Sequence, residues 1–443
     1  CANEYDNRIS LYINLQIMLI DSERYKIRDL MHREIVPAIG CTEPIAVALC
    51  TAKAKELLNE IPQNIEVFLS SNIIKNAMGV GIPGTKMTGL PIAIALGALI
   101  GKSEYELEVL KDLSEIDVDR AKQFIEEKRI DIQLNKSIPD NLYIEVHCSS
   151  GNNRAVAIIR GSHTGFTYFE KNGDVLMNKD TETEEIAEEK VILTFKKVCQ
   201  FALESPLNEL EFILEAAEMN KKASLEATTK NYGHNVSKTM TGKNGQKVFG
   251  DNLHSRMIAA TTGACDVRMD GAMIPVMSNS GSGNQGIAST LPVLTFAENI
   301  NCSRERLIRA LTISSLSMIY IKQYMGRLSP LCGCVIASTG SSCGITYLMG
   351  GNYDQIELAA KNMIANITGM ICDGAKPSCA LKIASGVSTA TLSALMAIEN
   401  QGVSAHEGII DDDIDKTIQN LAQIGNNGMK LTDQIVLDIM MRK

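Results

Sequence analysis

No block of lysine and arginine and no basic stripe interleaved with aromatics interrupts this 443-residue chain, in which 43 basic residues face 52 acidic ones. Nucleic acid is therefore not an expected partner. No apolar run reaches the length of a membrane-spanning helix. The longest, residues 90–100, has about half that length, carries Pro91 and Gly97, and reads as a buried core helix, so no membrane partner is expected. Repeats of fixed period and low-complexity linkers are also missing, which removes solenoids and tethered modules from consideration. No Cys-x-x-Cys pair occurs, and the six histidines do not cluster near the cysteine loops, so the usual zinc spacing is not met.

A 45% hydrophobic content is enough for one large core or two ordinary ones. Twelve cysteines are scattered without a small-domain framework, which points to reduced thiols and a cytoplasmic location. Cys1 stands first, as it would in a mature bacterial lipoprotein, but a terminal cysteine alone does not displace the cytoplasmic expectation. Residues 27–60 have helical periodicity through Ile45, Leu49, Ala52 and Leu57. Residues 65–70 resemble a strand, and Gly79, Gly81, Pro83 and Gly84 then form a tight loop. β-rich runs at 142–146, 155–159 and 166–169 are separated by turn residues. Later, Ile356, Ala359, Met363, Ile367 and Met370 recur at helical spacing and lead to Cys372. The expected fold is α+β and predominantly helical, a helical catalytic body with a small β-containing lobe: residues 26–130 and 179–443 form the body and 131–178 the lobe.

Two Pro/Gly-punctuated segments carry thiols. One runs from Ser329 through Pro330 and Cys332 to Cys334, the other from Cys372 to Cys379. Such loops can wrap an inorganic ion, with backbone N–H groups moderating its charge. Three thiolates on an iron–sulfur cube leave one iron open as a Lewis acid. Spacing alone leaves Cys334 and Cys343 available as well, with zinc as a competing ion and packing in the core as the plain alternative.

Gly40-Cys41-Thr42-Glu43-Pro44 precedes an apolar helix. A helix N-terminus lowers a thiol's pKa, which would let Cys41 act as nucleophile or base; packing is the alternative. Lys75 and Asn76, beside the glycine loop, are suited to a substrate carboxylate, unless Lys75 is simply solvated. The run Asn279 to Gly286 is glycine- and serine-rich, and serial N–H groups there can cradle an anion through Ser280, Gly281, Ser282 and Asn284. It fits neither a P-loop nor a dinucleotide fingerprint. A similar cup serves pyridoxal phosphate, for which Lys75 would be the Schiff-base lysine. His163, at a strand turn, is a further candidate for orienting substrate.

With Gly40 to Pro44, Ile74-Lys75-Asn76, Gly79, Gly84, residues 276–286, Cys332 and the Cys372 to Cys379 loop in view, the chain resembles the L-cysteine desulfidase family, itself similar to the α-subunit of iron–sulfur L-serine dehydratases. The resemblance spans most of residues 30–440; residues 1–25 match nothing in it. It implies a [4Fe–4S] cluster held by Cys332, Cys372 and Cys379 rather than Cys334 or Cys343, with Cys41 as catalytic base. It further implies a small amino-acid substrate cleaved to hydrogen sulfide, ammonia and pyruvate, or L-serine deaminated by the same chemistry. A metal- or redox-sensing cluster protein is the non-catalytic alternative. Oligomeric state is left open, a homodimer being one possibility.

Overall fold

The computed structural model describes residues 19–135, 142–179, 191–326 and 330–442. The fold is α+β and predominantly helical, with two hydrophobic cores.

Among the described residues the first helix, α1 (Asp21–Glu34), is followed by a short strand, β1 (Pro37–Ile39), and by α2 (Thr42–Leu58). The single helical stretch expected over 27–60 is thus broken in its middle. Pro37 removes a backbone donor, and Gly40 takes φ +70°, where a Cβ would collide with the ring of Pro83. α2 is buried nearly all round. It packs between the apolar helix α4 (Leu90–Leu99) and one face of a sheet. Between α2 and α4 lie β2 (Asn64–Leu69), the seven-residue α3 (Ser71–Ala77) and a tight β3–β4 ladder (Gly81–Ile82, Met87–Thr88).

The sheet holds six strands in the order β5-β2-β6-β7-β8-β9. Its members besides β2 are β5 (Ile130–Leu134), β6 (Tyr143–Ser150), β7 (Asn153–Arg160), β8 (Phe166–Lys171) and β9 (Asp174–Asn178). β2 pairs parallel with β5 across the α5 crossover (Glu115–Glu126) and antiparallel with β6. The β-containing part therefore draws a central strand from well before residue 131. Alternation explains the choice, since Ile65, Val67 and Leu69 face the core while Asn64 and Glu66 are exposed.

The second core belongs to α1 and the helices that follow the sheet. The longer of these are α6 (Phe195–Glu204), α7 (Ile213–Thr229), α8 (Leu253–Met269), α9 (Gly283–Asn299), α10 (Arg304–Met325), α11 (Gly333–Leu348), α12 (Tyr353–Ile367), α13 (Cys379–Ile398) and α14 (Ile414–Gln423), followed by a last helix, α15 (Lys430–Met441). α12 buries Ile356, Ala359, Met363 and Ile367, the stripe expected from the sequence, and ends at Ile367 rather than at Met370. α13 has the length and hydropathy of a membrane-crossing helix, although it packs on α8, α11 and α12. α15 returns to the first core, where Leu437 is buried with the α2–sheet residues.

Candidate active site

A two-stranded ladder joins the two halves where the expected base lies. β1 pairs antiparallel with β10 (Pro275–Met277). The chain beyond each strand therefore stays adjacent: Ser278 and Ser280 donate backbone N–H groups to the carbonyls of Val36 and Glu34, both at 2.9 Å. Asn279 to Ser282 closes as a hairpin turn, with N–H to carbonyl bonds of 3.1 Å in both directions between Asn279 and Ser282. Ser280 and Gly281 sit at φ +49° and +81°, the signature of a type I′ turn. For serine this is a strained conformation, of the kind that gathers at functional sites. Ser282 is the N-cap of α9, and Asn284 lies in the first turn of that helix.

Cys41 is the N-cap of α2 and is buried. Its thiol donates to Glu43 Oε2 at 2.9 Å, and Thr42 Oγ1 stands 3.1 Å from the same carboxylate oxygen and 3.3 Å from the carbonyl of Gly281. The helix-terminus argument favoured a depressed thiol pKa. Instead, burial pushes the Cys41 thiol well up and the negative charge of Glu43 adds to the rise, against the smaller opposing effects of the Arg268 guanidinium and the Glu43 backbone N–H. The resting group is a protonated thiol hydrogen-bonded to a carboxylate. Glu43 was written in the motif but given no role, because a sequence does not say that its side chain turns back onto Cys41.

Lys75, 1% exposed, forms an ion pair with Asp433 of α15. The ammonium assigned to a substrate carboxylate, or to a pyridoxal Schiff base, is thus engaged by a carboxylate 358 residues further along the chain. Asn76 is buried beside it in α3. The backbone of Lys75 meets the cysteine loop directly: a Cβ on Gly374 would collide with the Lys75 carbonyl oxygen. His163 is buried, and its Cε1 lies 3.9 Å from where a Cβ on Gly281 would be.

The expected cluster cysteines come from three segments. A β-bridge pairs Leu331 with Ile371, the N–H of Cys332 donating to Met370 and that of Cys372 to Pro330. Because the bridge is antiparallel, Cys332 stands opposite Met370 and Cys372 opposite Pro330, one at each end of it. Cys332 is the N-cap of α11, and Cys379 is the first residue of α13. Ser329, at the start of the first cysteine segment, lies outside the described residues. A hydrogen bond from Cys334 brings the Cys332 thiol down to about 7, against the effect of burial, while burial pushes Cys379 up to about 11. Nearby Cys332 and Cys372 add to the rise of the Cys379 thiol. Burial raises the Asp373 carboxyl, but hydrogen bonds from Lys376 and Lys382 outweigh it and hold the group at about 2. Cys343 points elsewhere, its thiol directed to the carbonyl of Ile356 in α12. Among the described residues no three His, Cys, Asp or Glu side chains converge tightly enough to hold a metal ion.

The two groups of residues touch through α9. A Cβ on Gly333, the residue after Cys332, would lie 2.6 Å from Gln285 Nε2 in the first turn of that helix. Arg268 is another residue that the sequence reading missed. It is 2% exposed, it occupies the last turn of α8, and a Cβ on Gly283 would collide with its Nε. Nothing in the local sequence marks it, because its importance comes from what folds around it.

Residues 104–438 match the serine dehydratase alpha chain family, and the chain belongs to that family of serine-dehydratase-like proteins. It is similar over nearly its whole length to several proteins named UPF0597. One from Parabacteroides distasonis is 61% identical over 422 residues, covering 94% of this chain and 98% of that protein. One from Bacteroides fragilis is 59% identical over 426 residues, covering 96% and 100%. A more distant one, from Oleidesulfovibrio alaskensis, is 42% identical over 417 residues, covering 94% and 97%.

Proposed function

We propose that the chain is a cytoplasmic iron–sulfur lyase that cleaves L-cysteine by β-elimination to hydrogen sulfide, ammonia and pyruvate, with L-serine as the alternative substrate of the same chemistry. The observation that carries this reading is the bonded series from Cys41 to Glu43 and from Thr42 to Gly281, which ties a proton-transfer pair to a strained turn. The helix that begins at this turn abuts the residue after Cys332.

Cys332, Cys372 and Cys379 would hold the [4Fe–4S] cluster. A four-iron cube is larger than a single ion, so its ligands stand further apart, which agrees with thiols that share an electrostatic environment without converging on one point. Two of the three sit at helix N-termini, where the dipole favours the thiolate and, at Cys379, works against the burial that raises its pKa. When bound, the cluster supplies a Lewis-acidic iron for the departing heteroatom.

The chain's own residues move the proton. Glu43 takes the Cys41 thiol proton, and the Cys41 thiolate removes the α-proton of the substrate. The electron pair left on Cα becomes the Cα–Cβ double bond as the Cβ–S bond breaks, and sulfur leaves with the bonding pair. Water then converts the aminoacrylate to pyruvate and ammonia, and no oxidant is needed. Burial of Cys41 suits this step: a thiol whose pKa is raised is a stronger base once ionised, and so a better match to a weakly acidic C–H. Ser280, Gly281, Ser282 and Asn284 are the polar groups nearest this pair on the turn and its helix, and they are the proposed substrate contacts, with Lys75 and Asn76 at the margin.

Anaerobic purification with iron and sulfide analysis, followed by parallel assays of pyruvate release from L-cysteine and L-serine, tests the reading. Thiolate is the softer ligand and the better leaving group, so L-cysteine should give the higher kcat/KM. A higher value for L-serine moves the assignment to a dehydratase, and release from neither refutes the lyase.

A further inference from the structure

Arg268 is a buried cation for which the described residues supply no ion pair, and its Nε has no hydrogen-bond partner. An unpaired buried charge is strongly destabilising, so a position like this calls for an anion from outside the chain. The neighbouring acid Asp266 does not supply it: its carboxylate oxygens accept the backbone N–H groups of His234 and Val236, at 3.2 and 2.8 Å. The guanidinium root lies on Gly283, at the start of α9, where any side chain would displace it.

The next two residues of α9 provide the opposite polarity. Asn284 Oδ1 and Gln285 Oε1 are buried acceptors without a partner. Asn284 Nδ2 donates to Met269 Sδ at 3.3 Å, which fixes the orientation of the amide and leaves its oxygen to the site. An unpaired guanidinium Nε at Gly283 and unpartnered amide oxygens on the next two residues of the same helix are together the chemical complement of a zwitterion.

We propose that Arg268 binds the α-carboxylate of a free amino acid and that the amide oxygens of Asn284 and Gln285 accept hydrogen bonds from its α-ammonium. This rests on the lyase reading for the location of the reacting centre and adds to it the features that select the substrate. The cation is Arg268 rather than Lys75, which Asp433 already neutralises. Amino acids blocked at either end are excluded, because they leave one of the buried groups unpaired.

The probe is L-alanine, which carries both charged groups and no leaving group, so the anaerobically prepared holoenzyme binds it without consuming it. Isothermal titration should show that propanoate and ethylamine, each lacking one group, bind at least about 30-fold more weakly than L-alanine. Arg268→Gln should weaken L-alanine by a similar factor, and Arg268→Lys by less. The analogue series on the wild-type protein decides the matter if Arg268→Gln fails to fold. Equal affinity for L-alanine and either analogue, no binding of L-alanine, or unchanged affinity in a folded Arg268→Gln variant overturns the proposal. Arg268-dependent binding of L-alanine without turnover of cysteine or serine refutes the lyase reading alone. Turnover with Arg268-independent binding refutes this inference alone.

Discussion

Glu43→Gln separates a proton acceptor from a positioning group. In the native site one carboxylate oxygen faces both the Cys41 thiol at 2.9 Å and the Thr42 hydroxyl at 3.1 Å. A glutamine oxygen can accept the same two hydrogen bonds, so the geometry is retained, and replacing a charged acceptor by a neutral one should cost about 1 kcal/mol of stability. The amide cannot take up a proton. If Glu43 receives the Cys41 proton, elimination should fall by about 10²–10⁴, the usual value of a positioned acid or base. The same substitution removes a negative charge that raises the Cys41 pKa, so alkylation of Cys41 by iodoacetamide at fixed pH should become faster. Elimination slower and alkylation faster is a signature that simple damage to the site does not produce. Pyruvate release, deuterium uptake at the substrate α-carbon and mass-spectrometric alkylation rates would be measured together, with Cys41→Ala as the control. Elimination within threefold of wild type across the pH range would refute the role of Glu43.

Replacing Cys332, Cys372 or Cys379 by Ala should remove iron and activity together, while Cys343→Ala, directed at a core carbonyl in α12, should keep both; iron analysis of the four variants checks this. Asp433→Ala leaves Lys75 charged, buried and unpaired, and should destabilise the fold by about 3–5 kcal/mol, less whatever Asp433's partial exposure recovers, as read from urea unfolding. The core thiols Cys148 and Cys343 are pushed up to about 12 by burial, so the folded chain holds protons that the unfolded chain releases near pH 9. Stability contributed by these thiols is complete below pH 9 and should decline by about 1.4 kcal/mol per pH unit for each thiol as pH rises toward 12, measurable as the pH dependence of the urea midpoint.

Local pattern was enough wherever burial on one or both faces decides the structure. The alternation of Ile65, Val67 and Leu69 marked a strand, the stripe through Ile356 and Met363 marked a helix, and the unbroken apolar run near residue 90 became the buried α4. Glycine and proline marked the loops that carry Cys41, Cys332 and Cys372, because such residues either require or impose backbone conformations that regular elements do not use. The same loops bear the resemblance to desulfidases and serine dehydratases, so the residues proposed for chemistry could be named before any contact was known. Where the sequence reading failed, the missing quantity was an environment. A helix N-terminus by itself lowers the pKa of a thiol, yet burial and a neighbouring carboxylate outweigh it at Cys41. A lysine beside a glycine loop reads as free for a ligand, yet a carboxylate on the last helix neutralises Lys75.

By itself, then, the sequence determined most element types, the two cysteine loops and a polar loop read over 279–286, of which residues 283–286 instead open α9; all of these depend on side-chain periodicity and backbone freedom over a few residues. Only the tertiary structure decided that Glu43 turns onto Cys41, that Asp433 claims Lys75 and that Arg268 remains a buried cation against Gly283. These are electrostatic facts, set by the distance and burial of groups far apart in the chain, and the energy of a charge depends on what the completed fold puts around it.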